Sequence, residues 1–167
     1  MNESIFPQRQ LARDYATDSG GPGQFRGGPG TTYVKQLLVP ANVYTYVVGR
    51  KYPMPGIAGG SPGAPNRLEL KVGGATEEAG ETVRIVAHEA GEAIRYHYGG
   101  GGGWGDPLAR DPARVLDDVL DEYVSAKSAH DDYGVVLTGS LEALDLAVDH
   151  AATARLRADQ RARRTHG

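Results

Sequence analysis

The segment His88-Glu89-Ala-Gly-Glu92 comes closest in residue type and spacing to a metalloprotease motif. That motif holds zinc through two histidines one helical turn apart, and the glutamate after the first histidine acts as general base. Glu92 stands where the second histidine is needed, and Gly91 disfavours a helix. We interpret 88–92 as a hairpin tip with exposed polar side chains, and we predict no metal site.

A run of five glycines at 99–103 is the next candidate, because Gly100, Gly102 and Gly105 match the G-x-G-x-x-G pattern of dinucleotide-binding turns. That pattern needs a parallel strand before it and a helix that starts within it. Here the preceding strand is predicted to be a hairpin arm, and Pro107 delays the helix. The Lys-Ser/Thr pair of a phosphate-binding P-loop is also missing, so we expect no nucleotide site.

The other reactive residues are scattered. The sequence contains no cysteine, which excludes a thiol nucleophile, a disulfide framework and a cysteine zinc site. No serine lies in a G-x-S-x-G elbow. The neighbouring acids Asp117 and Asp118 fall in a segment that we expect to be helical and solvated, and His97 is expected to be an isolated surface or packed histidine. We therefore assign no catalytic, cofactor-binding or metal-binding residue to this chain.

Two segments rich in glycine and proline, at 20–30 and 59–66, are more informative. Such segments fix tight turns and allow another backbone or a ligand to approach closely. Arg26 lies between the glycine turns of the first segment. Because arginine forms bidentate pairs with carboxylates, Arg26 is a candidate to hold an anion or a partner's carboxylate. Loop architecture alone is the alternative interpretation.

The elements that position these loops divide the chain into two parts. Of 24 glycines, 21 fall between Gly20 and Gly105, where β-branched and tyrosine residues alternate with turn residues. This pattern predicts short strands, and residues 82–98 are interpreted as one hairpin with Gly91 in its turn. The predicted strands are Ile5–Tyr15, Tyr33–Val39, Val43–Val48, Arg67–Val72, Thr82–Ala87 and Ala93–Tyr98.

The last third of the chain is predicted to be mainly helical. Asp111-Pro112 is typical of a helix start, Ser125 begins a second short helix, and Gly134 suits a helix C-cap. Val135–Leu137 and Ala143–Val148 are possible short strands, and Asp149 caps a last helix that reaches about Arg164. Five arginines near the end of that helix favour a solvated helix end over a nucleic-acid-binding arm.

We thus predict an α+β fold with an antiparallel, Gly/Pro-rich β layer at about 5–98 and a helical segment at about 111–164. The 167 residues form one predicted domain, with a β-rich part at 5–106, a mainly helical part at 107–164 and a tail at 165–167. The net charge of −3 argues against a nucleic-acid binder. The sequence has no apolar run of membrane-spanning length and no apolar leader, so a cytoplasmic protein is expected.

Several blocks of the sequence resemble the hydantoinase B/oxoprolinase family, the second subunit or half of ATP-dependent cyclic-amide hydrolases. Three blocks are rich in glycine and proline: DSGGPGQFRGGPG at 18–30, GGSPGAPN at 59–66 and GGGGWGDPLARDP at 100–112. The later blocks are DDVLDEYVS at 117–125, DYGVVL at 132–137 and AATARLR at 151–157. The blocks occur in the family's order from about residue 6 to 164, but members of the family are several times longer, and the likeness is to their C-terminal portion.

The resemblance implies a two-part assembly. An actin-like A partner binds ATP with Mg²⁺ and phosphorylates the substrate, and the B part handles the activated intermediate. Relatives include 5-oxoprolinase, N-methylhydantoinase and the acetone and acetophenone carboxylases. Where a family member binds a divalent metal, its ligands lie in the N-terminal part of B. The expected partners are therefore an A-like ATP-binding subunit and a larger B-like subunit.

The main hypothesis is a small subunit that completes a split B part and has no complete active site of its own. The alternatives are a free-standing binding or scaffold domain and a remnant fragment. The glycine-rich loops are the candidate contacts with the partner or the substrate channel, through Gly20, Gly21, Arg26, Gly28, Gly60, Gly63, Gly102, Gly103, Trp104 and Asp106.

Overall fold

The computed structural model describes residues 5–79 and 83–165 of the chain. Within these ranges the chain is α+β, with a region of antiparallel sheet followed by a helical region, as predicted. The elements in chain order are β1 (Gln8–Ala16), β2 (Gly30–Leu37), β3 (Ala41–Tyr46), β4 (Arg67–Val72), β5 (Glu77–Glu78), β6 (Val83–His88), β7 (Ala93–Tyr98), α1 (Pro112–Leu120), α2 (Ala126–Asp131), β8 (Leu137–Thr138), β9 (Ala147–Val148) and α3 (His150–Thr165).

The main sheet has the strand order β1-β2-β7-β4-β5, and every neighbouring pair is antiparallel. The prediction of a hairpin over 82–98 is wrong. β6 pairs with β3 in a separate two-stranded sheet, whereas β7 pairs with β2 and β4. The predicted turn at Gly91 is present, with φ +92°, but it passes the chain from one sheet to the other. The predicted start at Thr82 lies outside the described residues.

The two sheets pack face to face around an apolar core. Leu68 and Leu70 of β4 are fully buried, and they form one cluster with Val47, Val86 and Ile94. Because side chains alternate across a strand, the residues between the inward ones on β3 face outward. The outward side chains of β3, Tyr44 and Tyr46, are 63% and 65% exposed. The β3–β6 sheet therefore presents an apolar outer face to solvent.

The helical region has its own apolar core, formed by Val115, Val119, Tyr133 and other buried residues of 115–135. The predicted caps are confirmed. Asp111 accepts a hydrogen bond from the Ala113 amide at 2.9 Å, and Ser125 accepts one from the Ser128 amide at 3.0 Å.

The end of the helical region also follows the predicted order, with differences at the boundaries. Gly134 has the expected left-handed conformation, with φ +60°, but the C-cap of α2 is Asp132, two residues earlier. Asp149 caps α3 through the Ala152 amide at 2.8 Å, and the helix runs to Thr165. The two strands predicted near 135 and 143 shrink to the two-residue pair β8–β9. Of the predicted tail, residues 166 and 167 lie outside the described range.

Candidate functional site

Three extended segments, at about 18–30, 54–66 and 99–106, lie side by side and form what we call the glycine bundle. They are joined by backbone hydrogen bonds rather than by side-chain packing. The Gly21 amide donates to the Gly101 carbonyl at 2.8 Å, and the Gly101 amide donates to the Gly28 carbonyl at 3.0 Å. The Gly103 amide donates to the Ser61 carbonyl at 2.9 Å. Segments 18–30 and 54–66 are also bonded directly, since the Ser61 amide donates to the Pro22 carbonyl at 2.7 Å. Each of the three segments is therefore bonded to both others.

The close approach of these backbones explains why most of the candidate positions in the loops are occupied by glycine. A Cβ atom built on Gly63 would overlap the Gly100 carbonyl, and one on Gly103 would overlap the Pro22 carbonyl. The same type of overlap occurs at Gly20, Gly21, Gly60 and Gly102. Gly28 differs, because a Cβ atom there would meet nothing within 4 Å. Gly28 is thus the one predicted glycine of this set whose lack of a side chain is not required by packing inside the chain.

One face of the glycine bundle carries an exposed apolar patch, which we call the bundle patch and which consists of Phe25, Ile57 and Trp104. Backbone bridges join Trp104 to both other residues. The Phe25 and Trp104 rings lie 5.6 Å apart in a tilted arrangement. The three residues are 55%, 64% and 49% exposed. The bundle holds them in fixed positions without covering them.

Arg26 does find a carboxylate, but the carboxylate belongs to this chain. Its guanidinium lies 3.1 Å from Asp118 of α1, and Arg110 lies 2.7 Å from the other oxygen of the same carboxylate. Arg110 also donates to the Gln24 carbonyl at 3.1 Å, and Arg26 stacks over the Tyr123 ring at 4.9 Å. The expectation that Asp118 is solvated is wrong. Its side chain is 9% exposed and binds the glycine bundle to the helical region.

Tyr133 lies near this Arg26–Asp118–Arg110 triad and extends the buried polar region. Its side chain is almost fully buried in the apolar core of the helical region. Burial raises the pKa of the Tyr133 hydroxyl to about 12, so the group is neutral at physiological pH. The triad is therefore a charged junction backed by an apolar core.

The arginines of α3 contact the loop that follows the glycine run. Arg157 donates to the Arg110 carbonyl at 2.8 Å and Arg161 donates to the Leu108 carbonyl at 2.9 Å. Arg164 lies 3.0 Å from Asp106, which also caps the turn at Pro107–Ala109 through the Leu108 amide. Arg161 and Arg164 are exposed, in agreement with the predicted solvated helix end, whereas Arg157 is half-buried. The contacts of all three arginines fasten the helix to the end of the glycine bundle.

The structure corrects the prediction for His88. This residue is 2% exposed, so a hairpin tip with exposed polar side chains does not describe it. Its Nδ1 atom lies 3.4 Å from a Glu92 oxygen. Burial lowers the pKa of His88, and the opposing charge of Glu92 does not outweigh that effect. His88 is thus a neutral side chain packed beneath the end of β6.

His97 is not isolated. Its ring nitrogens lie 3.1 Å from Thr32 and 3.0 Å from Glu69, and Arg95 contacts the other Glu69 oxygen at 2.7 Å. Burial opposes ionisation of Glu69, but the hydrogen bonds from His97 and Arg95 outweigh it and lower the pKa of this carboxyl group. These polar side chains link β2, β7 and β4 on one face of the main sheet.

Two negative findings hold for the described residues alone. Among them, histidine, aspartate and glutamate nowhere form a group of three placed to hold a metal ion. In the same part of the chain, every helix is too short or too polar to cross a membrane.

Sequence reasoning singled out the glycine loops and Arg26 as candidates but missed Asp118 and Arg110, which contact Arg26 or its carboxylate partner in the structure. The Arg110-Asp111-Pro112 stretch signalled only a helix start. Asp118 looked like a solvent-facing acid because its partner Arg26 lies 92 residues away in the chain.

Comparisons with known proteins identify relatives of this chain. A family model described as hydantoinase B/oxoprolinase matches residues 1–107. The beta chain of caprolactamase from Pseudomonas jessenii is 38% identical over 141 residues, which are 81% of this chain and 24% of that protein. The B chain of a putative D-/L-hydantoinase from Pseudomonas sp. (strain NS671) is 29% identical over 161 residues, covering 93% of this chain and 26% of that protein.

A solved structure of a relative has a similar fold. The crystal structure of ATP-dependent caprolactamase from Pseudomonas jessenii matches with a TM-score of 0.75 and 34% sequence identity. The match covers 93% of this chain and 27% of the matched chain. The present chain thus spans about a quarter of the length of the curated relatives it matches.

Proposed function

Because the chain belongs to the hydantoinase B/oxoprolinase family, we propose that it is a small, non-autonomous subunit of an ATP-dependent cyclic-amide hydrolase or of a related ketone carboxylase. In this proposal it completes a split B part, and the larger B-like chain supplies the remaining three-quarters of the B architecture. An A-like subunit is the third component.

The observation that carries this proposal is the bundle patch. Phe25, Ile57 and Trp104 are held by backbone bridges in the part of the chain that the family model matches, and all three are exposed. An apolar patch held on a rigid scaffold is typical of a protein interface. The outward tyrosines of β3 add a second apolar surface. A protein that functions alone has no evident use for both.

The chemistry of the complex is divided among its parts in this proposal. ATP and Mg²⁺ bind to the A-like subunit, which activates the amide or ketone substrate by phosphorylation. A divalent metal, where one is used, binds to the larger B-like chain. The residues described here do not fit a metal site, so we assign no catalytic step to them. This chain contributes the glycine bundle, whose outer side, at Gly28, Phe25 and Trp104, contacts the larger chain or lines the substrate channel.

The test is recovery of the complex from the native host. A tagged chain is purified from lysate at low salt, and the co-purifying proteins are identified by mass spectrometry. We expect an A-like ATPase and a larger B-like chain in constant ratio. ATP-dependent turnover of lactams, hydantoins and ketones by the recovered complex then identifies the substrate class. Recovery of a folded monomer without either partner would overturn the proposal and favour a free-standing binding domain.

A second outcome separates the remnant-fragment alternative. A chain that aggregates when purified alone but becomes soluble on co-expression with the larger B-like chain is an orphaned subunit. A chain that aggregates under both conditions is a remnant, and the proposed subunit role would then be wrong.

A further inference from the structure

Strand β1 differs from the other long strands in how little of it is covered. Within the described ranges, it lies at one end of the main sheet and pairs with β2 alone. Seven consecutive residues, 9–15, are exposed, so solvent reaches both faces of the strand as well as its open edge. On β3, by contrast, Thr45 is buried and Val43 packs against the core. The outer edge of the nine residues of β1 is roughly 30 Å long.

The opposite end of the main sheet is closed in the way that soluble proteins close sheet edges. β5 is only two residues long, and both residues are glutamates. Short, charged edge strands prevent another strand from adding to the sheet. β1 carries charged side chains at Arg9, Arg13 and Asp14 and a bulge at Leu11, but unlike β5 it is nine residues long. From Ala12 to Ala16 its pairing with β2 is regular, so that half of the strand remains a template for a further strand.

The hydrogen-bond pattern shows which backbone groups of β1 are open. The Leu37 amide donates to the Glu92 carbonyl at 2.9 Å, which directs the Leu37 amide toward β7. Amides of successive strand residues point to opposite sides, so the Thr32 amide points toward β1 and its partner Asp14. Arg13 therefore lies between two bonded pairs, and its N–H and C=O groups point to the open edge. The same alternation opens the backbone of Tyr15.

The side chains beside this edge indicate the charge of what pairs with it. A cavity of about 320 Å³ opens next to β1 and is lined in part by Arg13, Tyr33 and Lys35. Lys35 lies 5.3 Å from the centre of the Tyr33 ring. Among the described residues, neither Arg13 nor Lys35 forms an ion pair with an acid. An acidic side chain from a neighbouring strand would be placed well beside these two cations.

We propose that the open edge of β1 receives a strand of the larger B-like chain, which extends the main sheet and places an acidic side chain beside Arg13 and Lys35. The inference rests on the proposed function, because the missing three-quarters of the B architecture is the occupant it requires. The inference specifies where the two chains meet, at β1, and how they assemble, by strand addition through backbone hydrogen bonds. The bundle patch would then be a second contact with the same chain.

Three variants of one residue test the mode of assembly. Arg13→Pro removes an outward amide and the charge while leaving the bonds between β1 and β2 in place. Arg13→Ala removes only the charge, and Arg13→Lys retains both features. Affinity for the larger B-like chain that co-purifies with the wild-type protein is measured by biolayer interferometry. We expect at least a tenfold loss for Arg13→Pro, about a threefold loss for Arg13→Ala and wild-type affinity for Arg13→Lys.

Amide hydrogen exchange of the wild-type protein, free and in the complex, tests strand addition even if the Arg13→Pro variant does not fold. In the complex, the open amides of Arg13 and Tyr15 within 12–16 should exchange at least tenfold more slowly than in the free chain. Equal affinity of a folded Arg13→Pro variant, or unchanged exchange over 12–16 in a formed complex, would overturn strand addition but leave the proposed subunit role intact. If the wild-type chain binds no B-like chain at all, both the proposed function and this inference are wrong.

Discussion

The glycine bundle and the helical region are stabilised in opposite ways. In the bundle, three backbones approach so closely that side chains are excluded, and hydrogen bonds between peptide groups hold the segments together. In the helical region, side chains such as Val115 and Tyr133 fill the core. The comparison shows that a low content of large apolar residues does not mean a loose structure, because close backbone packing and peptide hydrogen bonds replace side-chain burial in the three segments of the bundle.

The two regions meet at the Arg26–Asp118–Arg110 triad, and the largest expected effect of a substitution lies there. Asp118→Ala leaves the buried guanidinium of Arg110 and the partly buried guanidinium of Arg26 without their shared carboxylate. Removing one partner of a buried ion pair costs about 3–5 kcal/mol, a large part of the stability of an ordinary domain. We therefore expect chemical denaturation to give a free energy of unfolding lower by that amount, or a chain that does not fold.

Asp117→Ala is the matched control for the triad. Asp117 is the adjacent carboxylate on α1, and it is more accessible to solvent than Asp118. Its removal should change the free energy of unfolding by less than about 0.5 kcal/mol. Equal effects of the two substitutions would mean that the triad does not join the glycine bundle to the helical region.

The next effect concerns packing inside the glycine bundle. Gly63→Ala places a methyl group against the Gly100 carbonyl, and overpacking of this kind costs about 1–3 kcal/mol. Gly28→Ala is the control, because its methyl group meets nothing within 4 Å and reduces the entropy of the unfolded chain. Thermal unfolding should show a lower Tm for Gly63→Ala and an unchanged or higher Tm for Gly28→Ala. The reverse order would contradict backbone packing as the basis of the bundle.

The third effect is a pH dependence that belongs to the sheet region. Burial lowers the pKa of His88, so below its ordinary value of 6.5 the unfolded chain binds a proton that the folded chain does not. Stability should thus fall as the pH drops from 7 through 6.5 toward the lowered pKa, at no more than about 1.4 kcal/mol per pH unit. Urea unfolding at about pH 7 and about pH 5.5, on either side of the ordinary histidine pKa, measures this loss.

His88→Gln removes the titrating group and should flatten the pH dependence over that interval. Glu69 does not confuse the measurement, because its pKa is lowered and its contribution to stability is lost only at more acidic pH. If the slope over the same interval persists in His88→Gln, another group is responsible and His88 is not the neutral buried residue described here.

The parts of the fold set by local patterns could be predicted from the sequence. β4 and β7 have the predicted bounds, and the caps at Asp111, Ser125 and Asp149 lie where their side chains predicted them. Alternation and capping depend on residues within a few positions of each other, so they are visible in the sequence.

The parts that could not be predicted depend on residues far apart in the chain. Nothing in 82–98 shows that β3 competes with β7 as the partner of β6, so the sequence favoured a local hairpin. The burial of Asp118 depends on Arg26, and the role of Arg157 depends on a carbonyl 47 residues away. The same limit applies to the site, where the glycine spacing indicated tight turns but not which backbones approach one another.

The smallest expected effect on stability is also the one that separates architecture from function. Ile57 is 64% exposed, and its backbone amide, which donates to the Gly103 carbonyl at 2.9 Å, is retained in Ile57→Ser. The free energy of unfolding of the isolated chain should change by about 0.5 kcal/mol or less, as for other surface substitutions. Leu144→Ser, at a residue that is 92% exposed and lies outside the bundle patch, serves as the control.

Binding to the proposed larger B-like chain should distinguish these two variants although stability does not. A buried apolar side chain at the centre of an interface contributes about 1 kcal/mol or more, so Ile57→Ser should weaken binding at least fivefold while Leu144→Ser binds like the wild type. Equal binding by both variants would make the bundle patch a by-product of backbone packing. A selective loss of binding by Ile57→Ser would mean that the glycine bundle, whose backbones are fixed by hydrogen bonds to one another, serves to position Phe25, Ile57 and Trp104 for binding.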